Sequence, residues 1–138
     1  MKNKKSQTEV ESFYAVKWDA GVLTLLDQRK LPEEVIYLDY ISALDVADAI
    51  SKMVVRGAPA IGIAAAYAVV LAAHSAYQSS PNNWRENIEK VLQTLTAARP
   101  TAVNLNWAVS IMREKFKRDL ELKKFHHDFH GNFHRSVF

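Results

Sequence analysis

The sequence predicts an α+β fold, a small N-terminal antiparallel β-sheet followed by a four-helix, bundle-like domain. Three observations carry that prediction. Short aromatic and β-branched runs, separated by turn residues, fill positions 13–40. From Ser42 onward apolar residues recur at helical spacing. Prolines then stand at the helix joints, at Pro59, Pro81 and Pro100. A chain of 138 residues has room for one domain, and folding at that size buries roughly two-thirds of the unfolded surface. With 49% hydrophobic and 24% charged residues the composition is globular, which excludes a wholly disordered or collagen-like chain. Four glycines and four prolines are too few for a turn-rich β-sandwich.

The elements follow in order. Phe13–Trp18 and Val22–Leu26 form a hairpin across a three-residue connection, Asp19-Ala20-Gly21. Leu31-Pro32 breaks the chain, and Val35–Tyr40 supplies a third strand. Ser42 with Asp45 reads as a capping-box variant opening the first helix, whose apolar face is Leu44, Ala47, Ile50 and Val54. Gly57 and Pro59 end it. Pro59 then fits the first turn of a second helix running to about Gln78. Ser80 as N-cap and Pro81 behind it open a third, lined by Trp84, Ile88, Val91, Leu92 and Leu95. Arg99-Pro100-Thr101 stops that helix and starts a fourth, with Thr101 as N-cap and Val103, Trp107, Ile111 and Met112 as its stripe. The predicted organisation is a flexible tail over 1–12, a folded domain over 13–122 (sheet 13–40, helices 42–120), and an atypical tail over 123–138. That last segment, FHHDFHGNFHRSVF from 125 on, has no helical or strand period and reads as disordered or frame-shifted.

Charge and targeting signals exclude several classes. The net charge is +3, but Met1–Lys5 alone contributes +3 and the stretch from Arg113 to the end another +3. Positions 6–112 therefore carry −3, so the body lacks the basic face of a nucleic-acid binder. Zero cysteines remove disulfides, thiolate metal sites and a cysteine nucleophile from these residues, and fit a cytoplasmic address. The N-terminal lysines are not followed by an apolar signal core. The 17-residue apolar run Gly57–Ala73 is Ala-rich, interrupted by Gly and Pro, and predicts a buried core helix without a membrane partner.

Two corners could carry chemistry. In Arg56-Gly57-Ala58-Pro59-Ala60 an arginine precedes a tight glycine turn that opens a buried helix. Free first-turn N–H groups and the helix dipole favour an anion there, and a guanidinium offers a planar fork for phosphate oxygens. Arg99-Pro100-Thr101-Ala102-Val103-Asn104 repeats the pattern, with Thr101 and Asn104 able to bond the first turn. Ordinary helix–helix turns would use the same residues. If both corners share one end of the bundle, two guanidiniums could clamp one dianion, each charge-assisted hydrogen bond adding roughly 1.5–3 kcal/mol. His126, His130 and His134 are spaced four apart, but Gly131 interrupts them and no metal site is expected. His74 reads as a dipole partner at a helix C-terminus. Asp19, Asp39, Asp45 and Asp48 read as turn, strand-end, capping and solvated-face acids. No Ser/His/Asp triad, Walker loop or Rossmann glycine pattern is present in the sequence.

MVVRGAPAIGIAAAY (Met53–Tyr67) with AARPTAVNLNWA (Ala97–Ala108), and VKWDAGVLTLLDQRKLPEEVIYLDY upstream, resembles the N-terminal domain of methylthioribose-1-phosphate isomerases. The resemblance covers roughly Phe13 to Lys117. Ribose-1,5-bisphosphate isomerases and the regulatory subunits of the eukaryotic translation-initiation exchange factor are more distant relatives. The resemblance implies an aldose–ketose isomerisation in methionine salvage that uses neither metal nor organic cofactor. It implies substrate binding by Arg56, Gly57, Ala58 and Arg99, and a homodimer. In that family the catalytic Cys and Asp belong to a C-terminal Rossmann-like domain, which the resemblance leaves without a counterpart here. The expectation is therefore a truncated chain that binds a sugar phosphate and has no catalytic residue of its own. The other reading is a non-catalytic regulatory domain that senses a sugar phosphate or nucleotide.

Overall fold

The structure is a computed structural model and describes residues 14–118. The expectations for the 1–12 tail, for a strand start at Phe13, and for 123–138 with its histidines lie outside the described residues. Strands β1 (Val16–Asp19), β2 (Val22–Leu26) and β3 (Tyr37–Tyr40) form an antiparallel sheet in the order β1-β2-β3. Helices α1 (Ala43–Ser51), α2 (Ala58–Ser79), α3 (Trp84–Ala97) and α4 (Val103–Arg118) follow. The predicted α+β class is what the described residues adopt.

The hairpin is tighter than predicted. Asp19 belongs to β1 and pairs with Val22, so only Ala20 and Gly21 connect the strands. Both have positive φ (45° and 88°), the backbone of a type I′ turn, whose twist matches that of the strands. Leu23 and Leu25 alternate with Thr24 and bury fully on the helix side. Trp18 stacks on Tyr67 of α2, ring centroids 4.8 Å apart, which joins sheet to helix. Burial pushes the Tyr67 hydroxyl pKa up. On β3, Asp39 is not a strand-end acid. It lies opposite Thr24, whose hydroxyl donates to its carboxylate at 2.6 Å.

Helix α2 is the core. Its 22 residues span about 33 Å. Ala, Val and Leu cover all its sides from Ala64 to Ala73, and every residue there is buried. By length and composition it could cross a bilayer, but in this fold it packs against α1, α3, α4 and the sheet. It continues to Ser79 with no basic residue in its last turn, so His74 lies inside the helix and is not its C-terminal dipole partner.

Several predicted caps move. Ser42 precedes α1 but its hydroxyl makes no capping bond, and Leu44 faces solvent while Ala43, Val46, Ala47, Ala49 and Ile50 are buried. Helix α1 stops at Ser51, before Gly57, because Met53 takes positive φ (65°). Met53 N–H then bonds Ile50 O, and Val54 N–H bonds Ala49 O. That is a Schellman closure with Met where Gly is usual. Ser80-Pro81 forms a turn closed by Asn83 N–H to Ser80 O, and Asn83 is the N-cap of α3. Trp84, Ile88, Leu92 and Leu95 are buried as predicted, with Val91 partly so.

One buried charge anchors the sheet's end. Asp27 is 2% exposed. Its carboxylate accepts from Arg29 N–H at 3.1 Å, Nε at 2.9 Å and Nη2 at 2.9 Å, closing a one-turn 3₁₀ helix over Gln28–Lys30. The Arg29 side-chain bonds hold its pKa below the ordinary 3.8, against the opposing effect of burial.

Two outcomes are expected. Ala68 is fully buried, so Ala68→Leu overfills the α2 contacts and costs about 1–3 kcal/mol in urea denaturation. Ile63→Ala, at an exposed position of the same helix, costs less than about 1 kcal/mol. Folding depresses the Asp27 pKa, so its stabilisation is complete above 3.8 and is lost as pH falls through the folded value. The stability gap between wild type and Asp27→Asn should hold steady above about pH 5 and shrink in more acid solution.

Candidate functional site

The segment between α1 and α2 is six residues, Lys52 to Gly57, of alternating constraint. Met53 reverses the chain, Val54 and Val55 are buried at 2% and 1% exposure, and Arg56 then emerges at the surface. Gly57 follows with φ 88° and ψ 135°, a conformation closed to other residues, and is the N-cap of α2. A Cβ at Gly57 would have no atom within 4 Å, so it is the backbone conformation, not space, that demands glycine. Ala58 and Pro59 form the exposed first turn, as predicted for the proline. The helix has no side-chain cap, and Gly57 O accepts from Ile61 N–H at 3.0 Å. The dipole-positive end of α2 is therefore open beside Arg56.

The second corner is built differently from the prediction. Arg99-Pro100-Thr101-Ala102 is a β-turn closed by Ala102 N–H to Arg99 O at 2.9 Å. Ala102, not Thr101, is the N-cap position, its carbonyl accepting from Leu105 and Asn106 N–H. Among the described residues neither the Thr101 hydroxyl nor the Asn104 side-chain amide accepts a hydrogen bond from a first-turn N–H. The side chain that does stabilise the corner is Asn106, whose amide donates to Pro100 O at 3.3 Å.

The two corners lie at one end of the fold. Gly62, in the second turn of α2, abuts Asn104, in the first turn of α4. A Cβ on Gly62 would stand 3.4 Å from Asn104 O and 3.6 Å from Asn104 Cβ. The N-terminal turns of α2 and α4 are thus side by side, and Arg56 and Arg99 precede them. Among the described residues neither guanidinium has an ion pair or hydrogen bond. By contrast Arg29 holds Asp27, Arg113 holds Glu89 at 2.6 Å, and Arg85 lies over Trp84 and reaches Phe116 O.

An apolar groove of about 290 Å³ leads away from the corners between α2 and α4. Pro59 and Asn104 contribute to its lining, with Ile63, Trp107 and Ile111 along it. Here only Met112 of the predicted α4 stripe is buried. Val103, Trp107 and Ile111 are 76%, 62% and 40% exposed, and the buried face is Leu105, Ala108, Val109, Met112 and Phe116. The Leu-Ala-Val-Met-Phe set has the same helical period as the predicted one and shares Met112 with it. Among the described residues no group of three or more His, Asp or Glu side chains could hold a metal ion.

Comparison with known proteins adds to this geometry. The family model described as the Initiation factor 2 subunit family matches residues 54–132. Methylthioribose-1-phosphate isomerase of Methylococcus capsulatus is 51% identical over 109 residues, 79% of this chain and 31% of that protein. The protein of the same name from Alkalilimnicola ehrlichii is 54% identical over 105 residues, 76% of this chain and 30% of that protein. The crystal structure of 5-methylthioribose 1-phosphate isomerase from Pyrococcus horikoshii aligns with a TM-score of 0.79 at 28% identity, over 91% of this chain and 36% of that one. The delta subunit of translation initiation factor eIF-2B from A. fulgidus aligns with a TM-score of 0.74 at 34% identity, over 83% and 33%. The chain spans about a third of the length of these proteins.

Gly57→Ala tests the corner's backbone. Forcing a Cβ into that conformation should cost about 1–3 kcal/mol of stability, or move the chain at Arg56 to escape the strain. Denaturation together with the amide spectrum of residues 55–58 separates the two responses, and an unchanged stability with an unchanged spectrum would contradict the assigned conformation.

Proposed function

The chain belongs to the Initiation factor 2 subunit family, and we propose that it supplies the substrate-holding part of a methylthioribose-1-phosphate isomerase. The observation that carries the reading is the pair of arginines, Arg56 and Arg99, with no ion pair among the described residues, at the adjoining N-terminal ends of α2 and α4. A sugar phosphate is close to a dianion at neutral pH. Arg56 and Arg99 hold its phosphate through charge-assisted bonds, and Gly57 and Ala58 bring backbone N–H groups of the α2 terminus to the same oxygens. The apolar groove beside these donors suits a ligand that is anionic at one end and a thioether at the other.

The reaction such a site serves is the conversion of 5-methylthioribose 1-phosphate to 5-methylthioribulose 1-phosphate. The anomeric phosphate blocks simple ring opening, so acid–base groups must assist it in a water-poor pocket. In this reading those groups do not come from the 138 residues, which contain no cysteine. The chain binds and orients substrate without metal or organic cofactor, and a C-terminal α/β domain completes the chemistry. A homodimeric, cytoplasmic protein without nucleic-acid or membrane partners belongs to the same reading. Relatives at 51% and 54% identity carry the isomerase name, which supports the enzyme reading over a regulatory domain; the two solved structures, isomerase at 28% and initiation-factor subunit at 34%, do not separate the two.

Calorimetric titration of the purified chain with 5-methylthioribose 1-phosphate tests the reading. Binding is expected, weakened roughly 10- to 100-fold in Arg56→Ala and similarly in Arg99→Ala. No ketose should form. Turnover at ordinary enzymatic rates would refute the absence of catalytic groups. Equal affinity for nucleotides would favour the regulatory alternative, and an unaltered affinity in both arginine variants would remove the proposed site.

A further inference from the structure

We propose that Asp27 is a positioning residue for the Arg56 corner, acting through the backbone of Gln28 and Val54. The inference rests on the reading of Arg56 as a substrate-binding residue. Asp27 is buried and contributes no surface to a ligand. Its carboxylate is engaged on both oxygens by Arg29, and its own N–H donates to Ile36 O at 2.8 Å. Those bonds fix the 3₁₀ turn that contains Gln28. Gln28 N–H then donates to Val54 O at 2.8 Å, across from the sheet's end to the segment leading into α2. Val54 is held from the other side as well, its N–H donating to Ala49 O at 2.9 Å. Both backbone polar groups of Val54 are therefore committed, and Val55 is buried next to it. Arg56 follows directly on this anchored, buried pair and is itself exposed. Without the carboxylate the half-exposed Arg29 side chain returns to water and the 3₁₀ turn loosens. The acceptor at Val54 O then loses a fixed donor, and the guanidinium two residues on loses its aim. Bidentate phosphate recognition tolerates little such error, because misplacement of about 1 Å can cost 100-fold.

The test uses the full ¹⁵N-labelled chain and Asp27→Asn, which keeps the volume and removes the charge. Thr24→Val, which removes the cross-strand bond to Asp39 on the same sheet, is the control. In Asp27→Asn the Gln28 amide should exchange at least tenfold faster, beyond any change at core amides of α2, and the Gly57 amide resonance should move. Affinity for 5-methylthioribose 1-phosphate should fall about 3- to 10-fold, whereas Thr24→Val should leave all three readouts at wild-type values. If Asp27→Asn fails to fold, Arg29→Lys, which keeps the charge and loses the fork, should give smaller changes in the same direction. An unchanged Gln28 exchange rate and Gly57 resonance would overturn the proposal, as would wild-type affinity in a variant whose amides have moved. Equal binding by wild type and Arg56→Ala would instead reject the anion site, and the amide readouts would still decide whether Asp27 controls the corner.

Discussion

The close approach of α2 to α4 is the constraint on which the candidate site depends. Helix axes separate by 8–10 Å according to the side chains between them, and here those side chains are small. Gly62 meets the Asn104 backbone, and Ala66 and Ala108 follow one turn further along the same seam. Because the contact joins the second turn of α2 to the first turn of α4 and continues from there along both helices, their N-terminal ends lie side by side and their dipoles point the same way. Two positive helix ends and two guanidiniums then share one end of the fold. In the free protein that arrangement is electrostatically unfavourable, and water screens it only in part. Arg29, Arg113 and Arg85 are placed against carboxylates, a carbonyl or a ring. Arg56 is exposed and Arg99 half-buried, and neither has an ion pair or hydrogen bond among the described residues.

Much of this was legible in the sequence, for physical reasons. Helix joints were found because Pro59, Pro81 and Pro100 can stand only at or before a first turn. The glycine at 57 was readable as a special conformation because Arg-Gly-Ala-Pro leaves no other economical way into a helix. Cap assignments failed where a β-turn and a cap compete for the same residues. Ser80 and Thr101 fall in turns that precede the helix by one to three residues, so Asn83 and Ala102 occupy the N-cap positions. Gly57 and Pro59 looked like the end of α1, but Met53 ends it, adopting a left-handed conformation that no sequence rule assigns to Met. Asp27 was invisible because an acid two residues before an arginine normally forms a surface pair. Only the 3₁₀ turn and the cover from neighbouring elements bury it.

The α4 face shows a different kind of failure. Val103, Trp107 and Ile111 are spaced by four and, with Met112, read as a core stripe, of which only Met112 is buried. Leu105, Ala108, Val109, Met112 and Phe116 are an equally good stripe on another side. Periodicity counts apolar residues but cannot choose between two faces that both qualify. The choice was made by α2, whose alanines accept the Leu105, Val109 and Met112 side close up. The remaining side, with the large indole of Trp107, is left along the rim of the groove that starts at the arginine corners. Donor-rich and apolar surfaces thus adjoin because one helix has two apolar faces and its partner can bury only one.

The stretch from Met53 to Gly57 concentrates backbone cost in very few residues. A left-handed Met and a positive-φ glycine flank two buried valines, and the non-glycine member alone costs on the order of 1 kcal/mol. Such a segment persists only when its surroundings overdetermine it. Here the end of α1, the 3₁₀ turn and the start of α2 each contribute a backbone hydrogen bond to it or beside it. The strain serves stiffness. A guanidinium carried by a free loop would lose the loop's entropy on binding, whereas one carried by an anchored pair loses mainly its own rotamers. In the proposed reading Arg56 would meet a phosphate with much of the ordering already done by the fold, and the buried Asp27–Arg29 pair belongs to the part of the fold that does it.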